Sequence, residues 1–282
     1  MIKKILLPTD FSNNAWNAIF TALKLFAEIR CEFYLLHAYE PEAMNMLGRK
    51  GQQRLGTIYD SLSQYSAREL KDTLAYLNER HTNPNHSFET LSKSETLLEA
   101  IEETLAAKDI DLVVMGTQGA SGAKDIFMGS NTVTVLKKVT ACTVLVVPEG
   151  YDFQRLKILA FSTDFMDPYD KLELLPLIEL AKLWQCNIHI VHVGTEFALN
   201  ETQKANQHIL KERLASFAYS FQNIPFEANV SHSLATYFSQ TDVDMLAMIR
   251  YHHTFWEKLI GEPIVKKIAY HSHIPMLMLP EH

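Results

Sequence analysis

One strand-like segment occurs twice in this chain, about half a chain apart. Lys157-Ile158-Leu159-Ala160-Phe161-Ser162-Thr163-Asp164-Phe165 echoes Lys4-Ile5-Leu6-Leu7-Pro8-Thr9-Asp10-Phe11 with one extra residue. Ile188-His189-Ile190-Val191-His192-Val193 echoes Phe33-Tyr34-Leu35-Leu36-His37-Ala38. The run from Asp109 to Met115 returns from Asp242 to Met248, and Thr143 to Pro148 answers Pro275 to Pro280. A repeat this long points to two similar domains in tandem, not to a solenoid of short units. A length of 282 residues allows about two domains of ordinary size. The boundary is placed at Glu149-Gly150-Tyr151-Asp152, where polar and turn residues interrupt two apolar runs, giving domains 1–150 and 151–282.

Each copy alternates strands with helices. In the first, residues 2–8, 32–38, 86–91, 111–115 and 143–148 are short apolar runs, the pattern of strands covered on both faces. Between them, Ala18, Ile19, Ala22, Leu23 and Phe26 have helical spacing over 15–29, with Ser12 as N-cap. Further helices are predicted over 58–80 and 95–108. The fold class is α/β: two tandem open, doubly wound, parallel five-stranded sheets with right-handed crossovers. Residues 40–57, polar and carrying Gly48, Gly51 and Gly56, read as a loop beside the strand ends, either a flap over a ligand or a passive insertion.

The site signal is a glycine pattern. Val113-Val114-Met115-Gly116-Thr117-Gln118-Gly119 ends an apolar run, and after nine residues Gly129-Ser130-Asn131 opens a helical pattern. The first turn of a helix offers unpaired N–H groups and the positive end of its dipole. Glycines let a ligand approach the main chain closely. Gly116, Gly119, Gly129 and Ser130 therefore read as a cradle for phosphate oxygens. The pattern is neither G-x-x-x-x-G-K-[ST] nor the G-x-G-x-x-G dinucleotide fingerprint.

Gly116-x2-Gly119-x9-Gly129-Ser130, with Pro8-Thr9-Asp10 closing an N-terminal strand, resembles the universal stress protein family. Ile5 to Ser12 and the closing run Val144-Leu145-Val146-Val147-Pro148 extend the likeness, which is strong over the first half and weak over the second. The resemblance implies strand order 3-2-1-4-5 in an adenine nucleotide alpha-hydrolase-like fold. It also implies pairing of edge strands between the two domains within one chain. Open sheets bind ligands where strand order reverses, here between the strands ending at Pro8-Thr9-Asp10 and Gly116-Thr117. The implied nucleotide-binding residues are Pro8, Thr9, Asp10, Ala38, Gly116, Gly119, Gly129, Ser130 and Asn131. Thr9, Asp10 and Ala38 line the adenosine end, with Asp10 near ribose or a metal-bound phosphate; the alternative for Asp10 is an N-cap of the first helix. Lys124, inside the loop, reads as a solvated surface lysine, with offsetting of phosphate charge as the alternative.

The second copy departs from this pattern. Ile249 takes the place of Gly116, His252 that of Gly119, Glu262 that of Ser130 and Pro263 that of Asn131, while Gly261 is kept. Side chains filling the glycine positions, the N–H missing at Pro263 and the carboxylate of Glu262 predict no ATP binding through that loop.

The function expected is a stress-response sensor or regulator that binds ATP, ADP or AMP, with or without Mg²⁺. A slow ATPase and a non-binding interaction protein are the alternatives. No general base or arginine finger accompanies the motif, and no catalytic residue is assigned. Tyr251-His252-His253 and His271-Ser272-His273 lack metal-ligand spacing, and Phe255-Trp256 reads as a helix face. Cys31, Cys142 and Cys186 read as buried thiols with no disulfide framework. A net charge of −7 argues against broad nucleic-acid binding. With no signal peptide and no apolar run near membrane-spanning length, a cytoplasmic protein without membrane contact is expected. A homodimer and an unidentified regulatory protein are the partners left open.

Overall fold

The computed structural model describes residues 2–40, 49–118, 128–194, 198–250 and 274–281. The first half runs β1 (Lys3–Pro8), α1 (Asn13–Leu25), β2 (Cys31–Ala38), α2 (Arg49–Arg80), β3 (His86–Lys93), α3 (Leu97–Lys108), β4 (Leu112–Gly116), α4 (Ser130–Lys138) and β5 (Thr143–Val147). The second runs β6 (Ile158–Ser162), α5 (Lys171–Trp184), β7 (Asn187–Gly194), α6 (Glu201–Leu214), β8 (Tyr219–Pro225), α7 (Val230–Ser239), β9 (Met245–Ile249) and β10 (Met276–Leu279).

The strands form one ten-stranded sheet in the order β3-β2-β1-β4-β5-β10-β9-β6-β7-β8. Within each half every pairing is parallel, and the order expected from the resemblance appears in both. The halves meet through β5 and β10, which pair antiparallel with Leu145 opposite Leu277. Val144, Leu145, Val146, Leu277 and Met278 are all buried there. An apolar edge strand left open would template association with other chains, and this pairing covers both such edges.

Helices cover both faces. Ala18, Ile19 and Ala22 of α1, Leu70 and Leu77 of α2, Leu174 and Leu177 of α5, and Leu210 of α6 pack on one. Ala100 and Ile101 of α3, Val135 and Leu136 of α4, and Leu234 of α7 pack on the other. Central strands buried on both sides need continuous apolar runs, which is why β4, β5 and β9 read so plainly in the sequence.

Helix caps follow the local chemistry. Ser12 caps α1 by accepting from Ala15 N–H, as the sequence suggests. The expected loop over 40–57 is corrected in part: residues 49–57 are the first turns of α2, whereas 41–48 lie outside the described residues. Two glycines lower helix propensity but do not abolish it in a helix of 32 residues anchored further along by its core-facing leucines.

The echo between halves also needs no extra residue. Ile5 pairs with Leu112 and Leu159 with Met245, and Lys4 N–H and Ile158 N–H donate to Asp111 and Asp244 at 2.7 and 2.8 Å. Equivalent contacts therefore set Lys3 against Lys157, and the two segments align without a gap through Phe11 and Phe165.

Candidate functional site

The carboxyl ends of β1 and β4 flank a cavity of about 320 Å³, at the point where strand order reverses. Pro8, Thr9, Asp10, Ala38, Gly116, Gly129, Ser130 and Asn131 all line it. Gly119 and Lys124 lie outside the described residues. Ala15, Leu97, Met115, Gln118 and Thr132 also form the wall, and the sequence reading did not single them out. Leu97 opens α3, so the third helix closes a side of the cavity that no motif marks.

The floor is a tight turn. Thr9 Oγ1 accepts from Phe11 N–H at 3.0 Å, and Asp10 Oδ1 accepts from Ser12 N–H at 3.1 Å. These bonds hold Phe11 at φ 63°, a left-handed conformation costing an aromatic residue about 1–3 kcal/mol. The Phe11 ring packs on His37, with centroids 4.6 Å apart. Asp10 is thus a turn-forming residue, and Ser12, not Asp10, is the helix cap.

The opposite wall is the start of α4. Gly129 is its N-cap, and among the described residues no side chain caps this end. The Thr132 hydroxyl instead donates to the carbonyls of Gly116 and Thr117, at 3.1 and 3.2 Å. Gly129 N–H donates to the Thr117 carbonyl at 2.8 Å, tying the helix start to the end of β4. The first turn of α4, with Ser130 and Asn131, therefore borders the cavity with no cap from the side chain of its N-cap residue, an arrangement that suits an anion.

Asn14, in the first turn of α1, is buried beside this wall. Its Nδ2 donates to Thr117 Oγ1 at 3.3 Å and to the Gln118 carbonyl at 3.1 Å. A Cβ on Gly116 would meet Asn14 Cγ and Nδ2 at 2.8 Å. Gly116 is therefore required by packing against α1, besides lining the cavity. The sequence carries no pattern that separates Asn14 from its neighbour Asn13.

His37, beside Ala38, donates to or accepts from Ser66 Oγ at 2.9 Å, and Ser66 continues to Ser92 at 2.7 Å. Burial holds the His37 pKa below the usual imidazole value, although the charges of Asp10 and Glu69 oppose the shift.

The second half makes the same turn but secures it differently. Thr163 Oγ1 accepts from Phe165 N–H, Asp164 Oδ1 accepts from Met166 N–H, and Phe165 has φ 60°. Gln203 and Asn206 of α6 donate to the carbonyls of Asp164 and Phe165, and Thr163 Oγ1 lies 2.5 Å from the Tyr169 hydroxyl. Ile249 is buried at the end of β9, where the first half has Gly116. His252, Gly261, Glu262, Pro263, the two histidine clusters and Phe255-Trp256 lie outside the described residues. Arg250 follows Ile249, is buried, and donates to the Val139 carbonyl across the junction of the halves.

Other expectations can be placed. Cys31, Cys142 and Cys186 are free and buried, and burial raises their pKa values to about 12, 12 and 11, far from thiolate chemistry at neutral pH. Among the described residues no group of His, Cys, Asp and Glu side chains could hold a metal ion by itself, and no helix is long and apolar enough to cross a membrane.

The sequence profile of the universal stress protein family matches residues 1–148. The chain belongs to the universal stress protein family. Two universal stress proteins of Methanocaldococcus jannaschii are similar to it, one 27% identical over 147 residues, 52% of this chain and 82% of the relative. The other is 26% identical over 147 residues, 49% of this chain and 90% of the relative. A universal stress protein of Archaeoglobus fulgidus of known crystal structure is 14% identical, with a TM-score of 0.66 over 99% of this chain and 96% of its own. At that identity the likeness shows a shared α/β fold over both halves of the sheet.

Proposed function

We propose that this universal stress protein binds ATP or a related adenine nucleotide in its first half and works in the cytoplasm as a sensor or regulator in a stress response. The observation that carries the reading is the convergence of eight motif residues, from four separate segments, on the cavity at the sheet's reversal point. The first-turn amides of Ser130 and Asn131 would take phosphate oxygens, and the Ser130 hydroxyl would add a hydrogen bond. Thr9, Asp10 and Ala38 would line the adenosine end, and Gly119 would complete the phosphate loop.

A magnesium ion is compatible with this site only as a companion of the phosphates. Asp10 is the one carboxylate among the described lining residues, and its Oδ1 already holds Ser12 N–H. Magnesium commonly takes one protein carboxylate together with phosphates and waters. When bound, it would neutralise phosphate charge. Asp10 would orient it, and among the described residues of the wall none is placed to activate a water.

On this reading residues 1–150 and 151–282 are two domains, the second a degenerate copy. Its strand end carries Ile249 where the first half has Gly116, and its task is to complete the sheet through β10. Titration calorimetry of the full chain with ATP, ADP and AMP tests the proposal. Saturable binding near one nucleotide per chain supports it. Absence of heat with millimolar ligand would mark a vestigial pocket.

A further inference from the structure

A second, larger cavity of about 470 Å³ lies away from the nucleotide motif, at the amino ends of β1, β4 and β5. The end of α1 forms one wall with Phe26 and the following Ile29, and α5 forms the facing wall with Leu180 and Leu183. Leu112 and Leu277 close its floor. It therefore spans the junction of the two halves, because Leu112 and Leu277 belong to β4 and β10.

The lining is chiefly apolar, and Lys3, Glu179 and Asp111 are each hydrogen-bonded within the protein. Lys3 Nζ lies 2.7 Å from Glu179, and Asp111 accepts from the Lys4 amide at 2.7 Å. Lys182 is exposed at the rim, where water solvates it. The walls are held in place before any ligand arrives: Trp184 Nε1 donates to the Leu25 carbonyl at 3.0 Å, fixing α5 against α1. Pro176 of α5 adds its apolar ring to this wall. A preformed concave site of a few hundred Å³, apolar with few polar groups, has the character of a small-molecule pocket.

We infer that this cavity is a second ligand site, taking a neutral, largely apolar small molecule of drug-like size, independent of the nucleotide site. A charge carried past Lys182 at the rim would have to break the Lys3–Glu179 pair or be stranded against leucine and phenylalanine. Uncharged aromatic or aliphatic groups need no such compensation.

Fluorescence titration of the full chain with N-phenyl-1-naphthylamine, a neutral probe, tests the inference, with its sulfonated analogue 1-anilinonaphthalene-8-sulfonate as the anionic comparison. The neutral probe is expected to saturate at one per chain and to bind at least fivefold more tightly than the sulfonate. Ile29→Trp and Leu183→Trp, each filling the cavity from a different wall, should weaken it tenfold or more with unchanged circular dichroism melts. Saturating ATP should leave the titration unaltered. Failure to saturate, preference for the sulfonate, displacement by ATP, or indifference to both tryptophans in folded protein would each overturn the inference. None of these results depends on whether ATP binds at Gly129–Asn131.

Discussion

The side chain of Asn14 stands where a Cβ on Gly116 would have to go, its Cγ and Nδ2 2.8 Å from that position. The first turn of α1 and the last residue of β4 are thereby locked at van der Waals distance, and both elements border the proposed nucleotide cavity. Gly116→Ala must displace either Asn14 or the strand end. Overpacking of this kind costs about 1–3 kcal/mol, measurable as a lower urea midpoint. Asn14→Ala should offset part of that loss, so the double variant should be more stable than additivity predicts. Strict additivity would show that the contact is not felt.

Asn14→Ala by itself removes two hydrogen bonds, to Thr117 and Gln118. Their loss is expected to cost about 1–2 kcal/mol. It should also weaken nucleotide binding more than Asn13→Ala does, because only Asn14 holds the residues leading into the phosphate loop. Parallel calorimetry of the two variants decides the point.

Acid should destabilise the protein in a defined window. His37, His81 and His86 all have pKa values lowered by burial, and His81 Nε2 lies 2.7 Å from His86 Nδ1. A lowered histidine pKa means that the unfolded chain takes up protons first. Stability is then complete above the ordinary value near 6.5 and falls as pH drops through that value towards the folded one. Urea midpoints at pH 7.5 and 5.5 should differ in that direction. His86→Gln should reduce the difference, and an unchanged difference would remove the pair from the explanation.

Turnover is expected to be slow or nil. Asp10 is engaged by Ser12 N–H, and no lining residue among those described is positioned as a base towards a water. Phosphate release from ATP should lie near background in the wild type and in Asp10→Ala. Robust release abolished by Asp10→Ala would instead favour an ATPase.

Much of the fold was legible because buried parallel strands must be apolar along their whole length. Residues 32–38 and 143–148 in the sequence became Cys31–Ala38 and Thr143–Val147 in the structure. The helix over 49–57 escaped notice since its glycines and polar residues imitate a loop. The gap assumed between the two copies disappeared once Asp111 and Asp244 were seen to grip equivalent amides. At the site, small residues with fixed spacing announced Gly116, Gly129 and Ser130. Leu97, Ala15 and Asn14 arrive by tertiary packing, and nothing local marks them.

Native mass spectrometry of wild type and Ser130→Asp with ATP tests the central claim most directly. An aspartate in the first turn of α4 suits the helix dipole and preserves the fold, yet it sets a negative charge where phosphate should sit. One nucleotide per wild-type chain, and none on Ser130→Asp, is the predicted result. Equal occupancy of the two proteins, or two nucleotides per chain, would contradict a single site built on the amides of Ser130 and Asn131.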